Sequence, residues 1–586
     1  MIMTQKTKKL INAPENIIPE FIDGFVSAHA DILAVEGPTG RAVVARHGPR
    51  DGKVGMVVGG GSGHEPAFAG YVGRGLADAA AVGNVFASPS PQHILDAGRA
   101  ADGGAGVLFL YGNYTGDVLN FTMAAEELQA EGTPVKQFAV SDDIASAPFE
   151  RRTERRGVAG DFFVFKCAGA AADRGENLDS VHAAAMLAND QCRSMGVALG
   201  ACSLPQTGTL NFEIGPEDME IGMGIHGEPG MRREKLAPAD TVTDVLMEPI
   251  LKELALDSGD RVAVLVNGLG ATTQLELFVI YRRVRQILDA LGIGIHANWV
   301  GEYATSLEMA GASVTLLKLD DQLTRLLDHP CRTPALTVGD AGKAAPITQR
   351  SERKVRAVKR DVAIDRAALL TSGSVTSSIF VQMMMAIADT IRTEKDHLSQ
   401  LDGVLGDGDH GVTMDIGWTA VRNELENGTD NGVIVEVCER MAHVFLTAVG
   451  ASSGPLYASG FRGAGKAVAD RLNLDGAAMA AWIKGMSDGI LSRGGASPGD
   501  KTMVDAWFPA AEAAVKAAQS GADELAVLIA ARDAAKAGAE HTATIESRRG
   551  RSAKLGVRSV GHIDPGALSA YMILRAMTAS LQNASA

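Results

Sequence analysis

Val54-Gly-Met-Val-Val-Gly-Gly-Gly-Ser-Gly-His-Glu-Pro66 decides the fold: an apolar, β-branched run breaks into glycines and then presents a histidine. A strand ending in such a turn leaves its polar residues on a loop beyond the sheet, where function collects. The pattern recurs. Val107-Leu-Phe-Leu-Tyr111 leads into Gly112-Asn-Tyr-Thr-Gly-Asp117, and Arg261-Val-Ala-Val-Leu-Val-Asn267 leads into Gly268-Leu-Gly-Ala271. After each turn apolar residues return at helical spacing, which predicts an α/β domain over residues 1–335.

Downstream the chain changes character. Residues 336–366 carry Gly339, Gly342 and Pro346, then a basic stretch from Arg350 to Arg360 with six Lys or Arg and one Glu, and read as a solvated linker. From 367 to 586 strand signals fade. Ile379–Thr393, Val433–Thr447 and Ala522–Ala537 place apolar residues three and four apart, predicting an all-helical domain of about eight helices. The fold class expected is therefore multidomain, α/β followed by all-α.

A length of 586 residues agrees with several domains, and 46% hydrophobic content gives each a core. The longest apolar runs, such as Gly106–Tyr111, are too short to span a bilayer, so no membrane partner is expected. The first ten residues carry charge with no apolar stretch behind it, which is not a signal peptide. Five cysteines, an odd number with no C-x-x-C pair, speak against zinc or a disulfide framework and for a reducing cytoplasm. A net charge of −15 speaks against a nucleic-acid partner. A nucleotide remains compatible, provided a metal ion stands between carboxylates and phosphates.

Leu401-Asp-Gly-Val-Leu-Gly-Asp-Gly-Asp-His-Gly411 supplies such carboxylates. An extended turn points Asp407 and Asp409 at one ion while Asp402 closes from the preceding helix end, an oxygen set suited to Mg²⁺. Without a cation three converging carboxylates repel one another. Trp418 stands where an EF-hand needs its glutamate, so the loop is not an EF-hand. Gly450-Ala-Ser-Ser-Gly454, Arg493–Met503 and Val560-Gly-His-Ile-Asp-Pro-Gly566 are small-residue loops beside helical sequence, each able to aim N–H groups at phosphate. Gly460-Phe-Arg-Gly-Ala-Gly-Lys-Ala467 nearly spells a P-loop, but Ala467 replaces the Mg²⁺-binding hydroxyl and no strand precedes it.

In the first domain His64 follows a strand end, and His226 lies in a second glycine-flanked loop, Met223-Gly-Ile-His-Gly-Glu-Pro-Gly230. Neutral imidazole is a competent nucleophile toward a carbonyl carbon, and Asp117 can take a hydroxyl proton.

Taken in order, Gly59–Pro66, Asn113–Asp117, Met223–Gly230, Gly406–Gly411, Gly499-Asp-Lys-Thr-Met503 and Gly561–Gly566 resemble the single-chain, ATP-dependent dihydroxyacetone kinases over nearly the whole chain. The resemblance implies a ketose-binding α/β domain joined to a helical-barrel nucleotide domain, with ATP and Mg²⁺ as cofactors and a homodimer as the assembly. It implies that His226 holds the ketose covalently as a hemiaminal. His64 and Asp117 then bind and activate substrate hydroxyls, with Gly61, Ser62 and Gly63 lining the pocket. Asp402, Asp407 and Asp409 match the magnesium ligands. His410, Gly411, Val412, Thr413, Ser452, Ser453, Gly494, Met503, Arg551, Asp564, Pro565 and Gly566 match the nucleotide contacts. Two positions depart from the family. Gly112 stands where a lysine usually bonds the substrate, which opens room for a larger ketose such as four-carbon erythrulose, and Lys554 stands where an aromatic is frequent. Three other functions stand beside this one. They are a kinase fed by a phosphoprotein, a ketose sensor or co-regulator without catalysis, and a flavin-nucleotide lyase activity alongside the kinase.

Overall fold

The apolar runs form strands buried from end to end, as strands covered on both faces must be. The protein is described by a computed structural model that covers residues 7–340, 369–406, 408–427 and 432–585. It divides into two units, Met1–Val358 and Lys359–Ala586. The stretch read as a linker lies, from residue 341 onward, outside the described residues, and Thr337 and Val338 before it pair with Cys331 and Arg332.

The first unit runs α1 (Ile17–Ala28), β1 (Leu33–Glu36), β2 (Ala42–Ala45), β3 (Gly55–Ser62), β4 (Ala79–Val85), α2 (Pro91–Ala101), β5 (Val107–Gly112), α3 (Thr115–Ala130), β6 (Val135–Val140), α4 (Asp161–Asp173) and α5 (Leu178–Asp190). It continues through β7 (Cys192–Ala198), β8 (Asp218–Ile221), β9 (Arg232–Lys235), α6 (Ala239–Leu254), β10 (Arg261–Gly268), α7 (Gln274–Leu291), β11 (Gly294–Gly301), β12 (Gly311–Leu319) and α8 (Asp321–Leu327). One sheet has the order β1-β2-β4-β3-β5-β6, the other β11-β10-β12-β7-β8-β9. In the first, β4, β3, β5 and β6 are parallel. Alternate residues of β3 bury opposite faces. Val57 packs with α2 and α3, while Met56 and Val58 pack with α4 and α5. Those helices are shared with one face of the second sheet through Ala263 and Leu265, and α6 and α7 cover its other face. The result is five layers, helix and sheet alternating.

The helical expectation after each glycine turn holds for β5 and β10 and fails after β3. There the chain makes only a 3₁₀ turn at Ala69–Tyr71 before returning as β4. The chain leaves β3 toward β4 on one side and places β5 on the other, a switch point where a crevice forms beyond the strand ends.

The second unit holds eight described α-helices: α9 (Ser377–Leu405), α10 (His410–Asn427), α11 (Ile434–Ala448), α12 (Ser453–Ala467), α13 (Gly476–Gly494), α14 (Val504–Gln519), α15 (Glu524–His541) and α16 (Pro565–Ser585). Each packs on the next and α16 returns to α9, so the ring closes as a barrel. Its interior is filled by Trp418, Phe445, Tyr457, Phe461, Trp482 and Trp507. Among the described residues no helix is long and apolar enough to cross a membrane.

Candidate active site

Two glycine turns bring His64 and His226 together. Gly63 sits at φ +98°, and a Cβ there would come within 2.9 Å of the Phe86 ring, so only glycine lets the loop after β3 close over that residue. Phe86 itself holds φ +57°, an uncommon backbone state for a bulky residue, which places its ring parallel to His64 at 5.1 Å and edge-on to His226 at 5.2 Å.

The Nε2 atoms of His64 and His226 lie 3.0 Å apart. Nδ1 of His64 is 2.8 Å from the Thr305 carbonyl, and Nδ1 of His226 is 3.1 Å from Oε1 of Glu228. A carbonyl and a carboxylate only accept, so both Nδ1 atoms carry hydrogen and both neutral rings would turn lone pairs at each other. A 3.0 Å approach therefore holds one proton between the rings. Glu228 also accepts from the His226 backbone N–H, and Asn211 donates to the His226 carbonyl at 2.9 Å, so the His226 loop is fixed at three points. Behind Glu228, Arg156 pairs with Asp143. Tyr114 stands edge-on to His226 at 4.7 Å.

Asp117 lies buried in the first turn of α3. Ser62 is buried with its hydroxyl donating to the Gly83 carbonyl at 2.8 Å, tying β3 to β4, and Gly61 packs against Phe86 and Ala87. Gly112 ends β5, and a Cβ on it would stand 3.2 Å from the Tyr114 ring and 3.3 Å from the Gly157 carbonyl.

In the second unit the starts of four helices gather. His410, first residue of α10, shares a 2.9 Å hydrogen bond with Ser569 of α16. A Cβ on Gly566 would come within 3.5 Å of Met503, which precedes α14. Ser452 and Ser453 open α12, and Gly494 closes α13 against Leu456. Val412 and Thr413 continue the first turn of α10 beyond Gly411, and Pro565 begins α16 just after Asp564. Helix starts gathered at one end of a barrel can turn N–H groups to an anion, although here Asp402 takes the His410 N–H and Asp564 that of Ala567.

Beside them Asp402 ends α9 and accepts from the His410 N–H at 3.1 Å. Asp409 is half-buried with its Oδ2 atom enclosed and lacking a partner, and desolvation, then Asp402, push its pKa up to about 8. Asp564 rises to about 7, chiefly from burial, although it accepts from the Ala567 N–H at 2.7 Å. A carboxyl group made this hard to ionise and left unmatched is short of positive charge, so the donor set fits a hard divalent cation. Asp407 lies outside the described residues, and of Arg551 only the backbone is described, at the start of a 3₁₀ segment (Arg551–Ser559).

Sequence reasoning missed Phe86, Glu228, Tyr114 and Thr305. Glu228 had a signal, two residues beyond His226 in the same loop; Thr305 had none, standing 241 residues from its partner.

The profile of a Dak1 domain matches residues 23–335, and that of a DAK2 domain matches residues 404–579. The chain is 38% identical to an L-erythrulose kinase of Pectobacterium atrosepticum, covering 98% of this chain and 96% of the relative. It is 40% identical to an L-erythrulose 1-kinase of Mycolicibacterium smegmatis, covering 97% and 98%. The crystal structure of the dihydroxyacetone kinase from C. freundii in complex with AMP-PNP and Mg²⁺ superimposes with a TM-score of 0.53 at 29% identity, over 98% of this chain and all of that one.

Proposed function

This chain belongs to the single-chain dihydroxyacetone kinase family, and on that footing we propose that it transfers the terminal phosphoryl group of ATP to a terminal hydroxyl of a short-chain ketose. The observation that carries this reading is the imidazole pair, 3.0 Å between Nε2 atoms with both Nδ1 atoms committed elsewhere.

Glu228 keeps the His226 proton on Nδ1, so the lone pair that can attack a ketone carbon is the one on Nε2, beside His64. As that bond forms, the carbonyl π electrons move to oxygen and the proton held between the rings passes from His64 to the new alkoxide. His64 becomes neutral, and Glu228 balances the charge on the His226 ring. Only a substrate with a carbonyl can be held in this way, which separates a ketose from a polyol. Asp117, buried at the start of α3, is the base for the hydroxyl that receives phosphate.

In the helical unit Asp402 and Asp409, together with Asp407, would hold magnesium, and the helix starts at His410, Ser453, Val504 and Pro565 would meet phosphate oxygens. The bound metal supplies neutralisation of charge on the transferring group. Residues 1–335 are read as the ketose domain and 367–586 as the nucleotide domain, working in a homodimer.

Gly112 stands where the resemblance places a lysine that bonds the substrate, and losing that long donor favours a four-carbon ketose over dihydroxyacetone. Steady-state kinetics with ATP and Mg²⁺ alone test this. The expectation is kcat/KM for at least one erythrulose enantiomer about tenfold or more above that for dihydroxyacetone, roughly 1.4 kcal/mol in transition-state binding. A clear preference for dihydroxyacetone over both enantiomers contradicts the four-carbon reading. Turnover that needs a phosphoprotein donor contradicts the use of free ATP.

A further inference from the structure

Glu228 is 6% exposed and takes two hydrogen bonds from His226, its Oε2 from the backbone N–H at 3.0 Å and its Oε1 from Nδ1 at 3.1 Å. A carboxylate this deep holds its charge only beside a cation. Arg156, 2% exposed, stands behind it. Its Nε donates to Asp143 Oδ2 at 2.7 Å and its Nη2 to the Gly222 carbonyl at 3.0 Å. The remaining nitrogen, Nη1, is enclosed with no hydrogen-bond partner among the described residues and lies 3.8 Å from Glu228 Oε2. This is an ion pair without a hydrogen bond. The guanidinium is near enough to steady the charge on Glu228 and takes neither oxygen away from His226.

The local chain fixes that spacing. A Cβ on Gly224 would overlap both Glu228 Oε2 and Arg156 Nη1, so the two pack over bare backbone. The Arg156 N–H donates to Ser146 Oγ at 3.0 Å, and its carbonyl accepts from the Asp143 N–H at 3.1 Å. Arg156 faces the Glu228–His226 pair from the segment before α4, Asp143 from the segment after β6, Tyr114 from the turn before α3 and His64 from the loop after β3. Tyr114 adds no charge, since burial first and then Glu228 hold its phenol well above the ordinary range.

We propose that Arg156 is a positioning residue for the anchoring of the ketose: its charge keeps Glu228 an acceptor, which keeps the His226 hydrogen on Nδ1 and off the Nε2 that must bond carbon. This rests on the reading of His226 as the nucleophile. Forming the carbon–nitrogen bond uses the Nε2 lone pair, so the proton between the rings must reside on His64 at that moment. Without the cation the Glu228–His226 pair gains affinity for one more proton. A protonated Glu228 donates to Nδ1, the ring hydrogen moves to Nε2, and no lone pair remains there to attack. A higher pH removes the added proton and restores the nucleophile.

The test follows erythrulose labelled with carbon-13 at its carbonyl, bound to the full chain without ATP, as the ketone resonance gives way to that of the adduct across pH 6–9. Arg156→Gln is expected to move the pH at which half the adduct is lost upward by about 1–3 pH units from wild type. Arg156→Lys keeps the charge and gives up the fork, so it should lose melting temperature as Arg156→Gln does yet keep the wild-type profile. Should Arg156→Gln not fold, Asp143→Asn combined with Arg156→Gln removes the carboxylate that the change strands and carries the same comparison. Equal profiles in wild type and the glutamine variant, or as large a shift in Arg156→Lys, overturn the proposal. A wild type with no adduct at any pH sinks the reading of His226 as nucleophile, and nitrogen-15 resonances of labelled histidine then decide the role of Arg156. Hydrogen on Nδ1 of His226 in the wild type and on Nε2 in Arg156→Gln upholds it, and the same tautomer in both overturns it.

Discussion

At the residue scale the first unit gathers ionisable groups in unusual states, and those states have consequences for stability. Asp142 and Asp161 are both raised by burial, so the folded chain keeps protons that the unfolded chain releases above about pH 4. The unfolded state then binds fewer protons than the native one, and stability falls as pH rises from that point. Asp161→Asn removes one such proton. Its melting temperature should match wild type near pH 5 and exceed it increasingly toward pH 8, as read by thermal denaturation across that range. A constant difference at every pH would mean that Asp161 is ionised in the folded protein. The same economy of protons governs the imidazole pair, where two acceptors fix both tautomers and leave a single hydrogen between the rings.

At the scale of elements, loops are held by buried groups from far along the chain. Lys501 is fully buried at φ +60°, and its ammonium donates to the carbonyls of Ile545 at 3.2 Å, Ser559 at 2.5 Å and His562 at 2.8 Å. One side chain thereby shapes the segment that runs from the end of α15 to Asp564. Lys501→Met leaves three carbonyls unmatched. The expected cost of roughly 2–3 kcal/mol lowers the melting temperature by about 5–10 °C and raises KM for ATP more than KM for the ketose. Equal changes in both KM values would count against a role in shaping the nucleotide loops. The glycine-flanked strands and helical periodicity made the element types legible, because β3, β5 and β10 are buried throughout their apolar runs. The missing helix after β3 was not legible, since the apolar residues 67–72 pack into the core as a loop with one 3₁₀ turn.

At the scale of the molecule the order of the layers and the closure of the barrel depend on contacts that no local pattern carries. Arg575 of α16 reaches Glu394 of α9 across 181 residues, and Thr305 meets His64 across 241. The histidines, Asp117, Asp402 and Asp409 could be singled out from their loops. The groups that contact the two histidines, Glu228, Tyr114, Phe86 and Thr305, acquire meaning only once both sheets are assembled. The comparison with kinases of known activity fixes the family, and the departure at Gly112 then directs attention to what fills the space that a long cation would take.

The central claim is that the lone pair of His226 Nε2 anchors a ketose for phosphoryl transfer from ATP. The most direct measurement follows product by phosphorus-31 NMR, with purified wild type and His226→Ala, erythrulose, ATP and Mg²⁺. The account predicts a sugar monophosphate and ADP from the wild type. It predicts at least about a 10³-fold slower rate from His226→Ala, whose melting temperature still rises with Mg²⁺ and nucleotide because the helical unit is intact. A His226→Ala protein that forms the sugar phosphate within tenfold of the wild-type rate would contradict it.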